Sequence, residues 1–205
     1  MRKNRIKILF KDKRIFLQEK NIPATNTTPS YIIHNLTPQK IELLIDILLI
    51  SDLKQVLIIG DIDTSMQILK QTMSLVQAGG GLVINPQHEM LFIYRKGKWD
   101  LPKGKIEKQE DIEQCAIREV QEETNLKNIH IVKHLSNSYH IYFEEIFILK
   151  ETFWYLMTSE KESVKPQYEE GITKVLWVDT NKIKYQLNNT YENIKDLVNM
   201  CLYNK

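Results

Sequence analysis

The stretch Leu101–Leu126 reads Leu-Pro-Lys-Gly-Lys-Ile-Glu-Lys-Gln-Glu-Asp-Ile-Glu-Gln-Cys-Ala-Ile-Arg-Glu-Val-Gln-Glu-Glu-Thr-Asn-Leu, a Pro/Gly turn followed by an unbroken helical run. Pro102 and Gly104 mark the turn. Asp111 or Glu110 opens the helix, where an acid suits the cap and the helix dipole. Asn125 stands where a residue of positive φ ends a helix, a place in which Asn is second only to Gly. At about 100° per residue, Glu122 and Glu123 flank Glu119 as its i+3 and i+4 neighbours. Ile112, Cys115 and Ala116 precede them on that side, while Gln114 and Gln121 point the other way. The apolar stripe therefore runs into three carboxylates, where an ordinary surface helix keeps the two apart.

Carboxylates turned partly inward repel one another and lose hydration, which is costly unless a cation lies between them. A hard divalent ion such as Mg²⁺ meets that need. Arg118, four residues before Glu122, is placed to pair with it or a neighbouring acid. Taken alone, Glu-x-x-Glu-Glu is more often a solvated helix end. The longer pattern decides between the two.

As a whole the stretch resembles the Nudix box, the signature of the Nudix hydrolase family (MutT-like): G-x5-E-x7-R-E-U-x-E-E-x-G-U, with U apolar. Gly104, Glu110, Arg118, Glu119, Val120, Glu122, Glu123 and Leu126 match in register. Asn125 departs from the family's Gly, a swap that the helix-end argument tolerates. The resemblance implies that Glu119, Glu122 and Glu123 are metal ligands for Mg²⁺, with Mn²⁺ as a substitute, joined by the backbone carbonyl of Lys103. It also implies that Arg118 orients Glu119 and that Glu110 supports the box or a further ion. The general base is a helix glutamate in some relatives and a downstream loop glutamate in others. Here Glu169 and Glu170, in Tyr168-Glu169-Glu170-Gly171, stand in the loop position. Lys103 and Lys105 are candidates for substrate phosphates, against the plain alternative of solvent-facing lysines.

The chain has 205 residues, 42% of them hydrophobic, and a formal net charge of +2. That is enough apolar content for a core, and the balance argues against general nucleic-acid binding, which needs a concentrated basic face. Cys115 and Cys201 lack metal or redox spacing, and Cys115 falls on the apolar helix face, so reduced thiols in a cytoplasmic protein are expected. The basic start is followed by no apolar run of signal-peptide length, and no segment is long enough to span a membrane.

Two short strands are expected within Ile6–Leu17 around Lys11-Asp12-Lys13, then a loop from Asn21 to Ser30 and a strand at Tyr31–Ile33. A helix starts at Thr37-Pro38, a buried strand covers Val56–Gly60, and Asp63 or Thr64 caps a second helix. Residues 1–75 thus read as a small α/β unit of unknown role. No glycine-rich loop follows its buried strand to support nucleotide binding. Ala78–Gly81 is the expected junction, opening a strand at Leu82–Ile84. Met90–Tyr94 completes a hairpin, and Trp99–Pro102 leads into the box. Strands are expected at Ile129–His134, Ser138–Phe147, Glu151–Met157 and Ile172–Val178, with a closing helix over Tyr191–Tyr203.

The fold expected is α/β (α+β): a Nudix α/β/α sandwich with a mixed sheet over residues 76–205, after the small N-terminal unit. The resemblance covers residues 76–185. It implies a Mg²⁺-dependent hydrolase cleaving the pyrophosphate of a nucleoside diphosphate linked to another moiety, a dinucleoside polyphosphate or nucleoside triphosphate among the candidates. Leu-Pro-Lys-Gly looks like the branch acting on dinucleoside or inositol polyphosphates. Tyr139, Tyr142, Trp154 and Tyr168 are the aromatics considered for stacking on a base. The rival reading is a Nudix-fold nucleotide sensor without turnover, disfavoured because every acid of the box is intact. The expected partner is a nucleotide pyrophosphate, with neither nucleic acid nor membrane. A homodimer is an expectation carried by the resemblance alone.

Overall fold

The structure, a computed structural model, describes residues 4–22 and 31–203. In chain order the first elements are β1 (Arg5–Phe10), β2 (Lys13–Gln18), β3 (Tyr31–His34), α1 (Lys40–Ile50), β4 (Gln55–Ile59) and α2 (Ile62–Thr72). Then come β5 (Ser74–Ile84), β6 (Glu89–Arg95), β7 (Lys98–Asp100), β8 (Lys103–Lys105) and α3 (Ile112–Thr124). The chain continues through β9 (His130–Phe143), β10 (Phe147–Thr158), a 3-10 turn (Tyr168–Glu170), β11 (Ile172–Asp179), α4 (Lys184–Asn188) and α5 (Glu192–Tyr203). These fall into two compact units: the chain up to Val76 with Tyr139–Glu151, and Gln77–Ser138 with the chain from Thr152 onward.

In the first unit β1 and β2 form an antiparallel hairpin, with Lys11 at φ 51° in its turn. β4 runs parallel to both β2 and β3, and β1 pairs in parallel with Tyr139 and His140 of β9. Alternate strand residues (Ile8, Phe10, Ile15, Leu17, Val56, Ile58) meet Leu44 and Leu48 of α1 and Met66 and Leu69 of α2 in one buried cluster. This is the period-2 against period-3.6 match that joins a sheet to helices. Two expectations need correction. α1 begins at Lys40, after turns in which Lys40 and Ile41 donate to the Thr37 and Pro38 carbonyls, so its start lacks a side-chain cap. α2 is capped by Asp61, which accepts from the Thr64 amide at 2.7 Å; Asp63 and Thr64 already lie inside the helix. The loop expected from Asn21 to Ser30 lies mostly outside the described residues.

The second unit is a sheet with strand order β11-β6-β5-β10-β9, with β7 added to β6 and β8 to β5. Its central strands, β5, β6 and β10, are apolar on both faces. Val83, Leu91, Ile93, Tyr155 and Met157 pack with Ala116 and Val120 of α3. Their neighbours Leu82, Met90, Phe92 and Trp154 pack with Ile194, Leu197 and Val198 of α5. The alternation places one helix on each side, the α/β/α sandwich expected, and each such side chain contributes about 1.5–3 kcal/mol by leaving water. The glycine run differs from its expectation: Gly79–Gly81 are buried inside β5, which starts at Ser74. A Cβ on Gly79 would lie 2.6 Å from the Ala116 amide nitrogen. Gly79 lets the backbone of α3 lie against the strand, while Gly80 lies against Lys103 and Trp154 and Gly81 against the side chains of Val120 and Met157. β9 is one strand where two were expected, and α4 was not expected at all. Among the described residues no helix is long and apolar enough to cross a membrane.

Candidate active site

The geometry of α3 starts at its ends. Asp111 accepts from the amides of Glu113 and Gln114, and Gln114 Oε1 accepts from the Asp111 amide, closing a capping box. At the other end Asn125 adopts φ 63°, ψ 14°, and its amide donates to the Gln121 carbonyl. With both ends fixed, the spacing puts Glu119, Glu122 and Glu123 in the last turns, beside β8.

Arg118 gathers three acids. Its Nε and Nη2 donate to the two oxygens of Glu110 at 2.8 and 2.9 Å. Its Nη1 donates to Glu119 Oε1 and to Glu122 Oε2, both at 2.9 Å. Two further hydrogen bonds tie this group to the box turn: Nη2 donates to the Lys105 carbonyl, and Glu110 accepts from the Glu107 amide. Arg118 accordingly holds Glu110 below the usual carboxylate range, while these acids raise the guanidinium's own pKa. Burial pushes Glu119 the other way, above that range.

Glu123 is the buried member, 1% exposed. Its Oε2 accepts from the Lys103 amide at 2.9 Å, and its Oε1 lies 3.6 Å from Arg95 Nη1. Burial raises its pKa to about 7, against the opposing pull of Lys103. Arg95 also reaches Glu170, with Nη2 3.3 Å from Oε2. Glu169 makes no such pair among the described residues.

β8 forms the floor. The Glu119 carboxylate lies over Gly104, where a Cβ would stand 2.0 Å from its Cδ. The side chain of Lys103 turns to the protein: Nζ donates to Asp100 Oδ2 at 2.5 Å and to the Leu101 carbonyl at 3.2 Å, over the ring of buried Trp154. Lys105 is exposed. Of the four aromatics considered, Trp154 is core and Tyr168 is 63% exposed.

Glu119 and Glu122 thus present oxygens to one shared cationic nitrogen, and Gly104 leaves the room a side chain would fill. Oxygen donors meeting around a positive charge suit a hard divalent ion. As the side chains stand they are turned onto arginines, and among the described residues no three His, Cys, Asp or Glu side chains converge on one point. The sequence reading missed Arg95 and Asp100. Arg95 had a signal: it continues the alternation of Leu91 and Ile93 on the face that meets α3.

A sandwich of this kind with an acid-lined, glycine-floored helix end defines a class, and the chain belongs to the Nudix family: the family model described as NUDIX domain matches residues 75–198. It is a Nudix pyrophosphohydrolase, and Nudix hydrolases generally use divalent metal ions. Its fold is similar to that of the mutator MutT protein from Bacillus halodurans, at 22% identity and a TM-score of 0.50 over 62% of this chain and 82% of that one. It is also similar to the E. coli dihydroneopterin triphosphate pyrophosphohydrolase, at 13% identity and a TM-score of 0.50 over 63% and 96%. At these identities the likeness is one of fold.

Proposed function

We propose that the chain is a Mg²⁺-dependent hydrolase of a nucleoside diphosphate linked to another moiety, with residues 76–205 as the catalytic domain and residues 1–75 as an accessory unit. The observation that carries the reading is the meeting of Glu119 and Glu122 on one cationic nitrogen, with Glu119 above Gly104 and Glu123 anchored to the amide of the preceding residue of β8, Lys103. Glu119, Glu122, Glu123 and the Lys103 carbonyl would hold the ion, which supplies charge neutralisation at the phosphoryl oxygens and activation of water.

The chain's own residues supply position and proton transfer. Arg118 orients Glu119 and Glu122. Lys105, free of the Asp100 contact that engages Lys103, is assigned to a substrate phosphate. Tyr168, exposed beside the loop acids, is assigned to the base. The proton of the attacking water passes to a carboxylate. Glu119 and Glu123, both raised by burial, are the helix candidates, and Glu170 is the loop candidate. The free thiols of Cys115, raised by burial to about 11, and Cys201 fit a reducing cytoplasm.

A panel of dinucleoside polyphosphates, nucleoside triphosphates and other nucleotide pyrophosphates, assayed with Mg²⁺ and Mn²⁺ for the nucleotide products of hydrolysis, tests this. Turnover of one class, reduced at least ~10²-fold in Glu119→Gln and Glu122→Gln, is expected. Metal-dependent nucleotide binding without turnover would replace the hydrolase by a sensor.

A further inference from the structure

Two arginines divide the five acids of the site. Arg118 takes Glu110, Glu119 and Glu122, and Arg95 takes Glu123 and Glu170. The second group joins separate elements: Arg95 ends β6, Glu123 lies in α3, and Glu170 closes the 3-10 turn. The loop carrying Glu170 is also tied down by its backbone. The Lys165 amide donates to the Thr124 carbonyl at 2.9 Å, and the Gln167 amide to the Glu123 carbonyl at 3.4 Å. Glu162 accepts from the amides of Lys127 and Asn128. The loop is therefore ordered against the end of α3, and what remains to be fixed is which acid faces the helix carboxylates.

We infer that Arg95 is a positioning residue, whose guanidinium holds Glu170, and not Glu169, against Glu123 so that the loop carboxylate joins the cation site. The inference rests on the proposed function. A planar fork with two separated N–H edges reaches two carboxylates at once, as a lysine's single ammonium cannot. Arg95 Nε is buried with no hydrogen-bond partner among the described residues, so these acids are its polar anchors. Partners that orient ligands in this way are worth roughly 10- to 100-fold in metal affinity.

The test is a Mn²⁺ titration of the full chain without substrate, read as the resonance of free Mn²⁺. Arg95→Met and Glu170→Gln each weaken binding on the order of 10-fold, the double variant weakens it no further, and Glu169→Gln binds as wild type. Arg95→Lys, which keeps the charge without the fork, stays weak. Equal losses in Glu169→Gln and Glu170→Gln overturn the inference, as do losses that multiply in the double variant. So does tighter binding by Arg95→Met, which would make Arg95 merely a competing charge, or wild-type binding by Arg95→Lys. Should Arg95→Met fail to fold, the comparison of the two glutamine variants decides. Wild type that binds no Mn²⁺ and turns over no nucleotide overturns the functional reading and this one with it, whereas an active, Mn²⁺-binding wild type isolates the role of Arg95.

Discussion

The carboxylate of Glu119 rests on Gly104, with Cδ 2.0 Å from the position a Cβ would take. The obstacle is the far end of a side chain, so a methyl group there displaces Glu119 and leaves the backbone in place. Gly104→Ala should therefore keep its melting temperature close to wild type while kcat/KM falls on the order of 10²-fold, the usual effect of moving a catalytic group by about 1 Å. Calorimetry and kinetics on the same sample check this. A large loss of stability with the remaining activity intact would refute it.

Arg118 holds Glu110 as an anion, and such a group adds stability above its unfolded pKa that is lost as pH falls through its lower folded value. Arg118→Met removes the partner of three carboxylates. Its melting temperature should fall most at neutral pH, and the deficit should shrink as pH drops below about 4.5, the unfolded value of a glutamate, toward the lower folded value of Glu110. A deficit independent of pH would mean that packing of the side chain, and not its charge, is what matters.

Glu123 behaves oppositely. Its folded pKa, about 7, lies above the unfolded value, so its contribution is complete below about 4.5 and is lost as pH rises through 7. Glu123→Gln mimics the neutral acid and still accepts from the Lys103 amide. In EDTA, the variant should gain on wild type by up to about 3 kcal/mol between pH 4.5 and 8. Parallel stability curves would show that burial does not raise this group.

Asn125 carries the one departure from the box, at φ 63°. Asn125→Gly should leave activity unchanged and stability within about 0.5 kcal/mol, since glycine enters this region freely. Asn125→Val should cost about 1–2 kcal/mol, because a β-branched side chain meets the carbonyl there. Equal melting temperatures for the two would be inconsistent with the observed cap.

The chemistry of α3 was legible in the sequence because it is local. The capping acid, the Asn at the helix end, the i+3 and i+4 spacing of Glu119, Glu122 and Glu123, and the reach of Arg118 all follow from the geometry of one helix. The strands at Leu82–Ile84 and Met90–Tyr94 were legible for a similar reason, since a short apolar run bounded by turn residues needs no knowledge of partners. What sequence alone left open depended on distant residues meeting. Gly79 read only as part of a glycine run, and its role as the surface on which Ala116 approaches β5 came from the far side of the contact. Lys103 and Lys105 read alike, and only Asp100 separates them. Glu169 and Glu170 were equivalent neighbours until Arg95, some 75 residues earlier in the chain, reached one of them. Nothing in Ser138–Glu151 announced that Tyr139 and His140 would pair with β1. Local spacing determined which groups share a face, because helix and strand periods are properties of the backbone. Tertiary structure decided which of those groups are buried, neutralised or aimed, because burial and pairing are set by residues the chain brings back from far away.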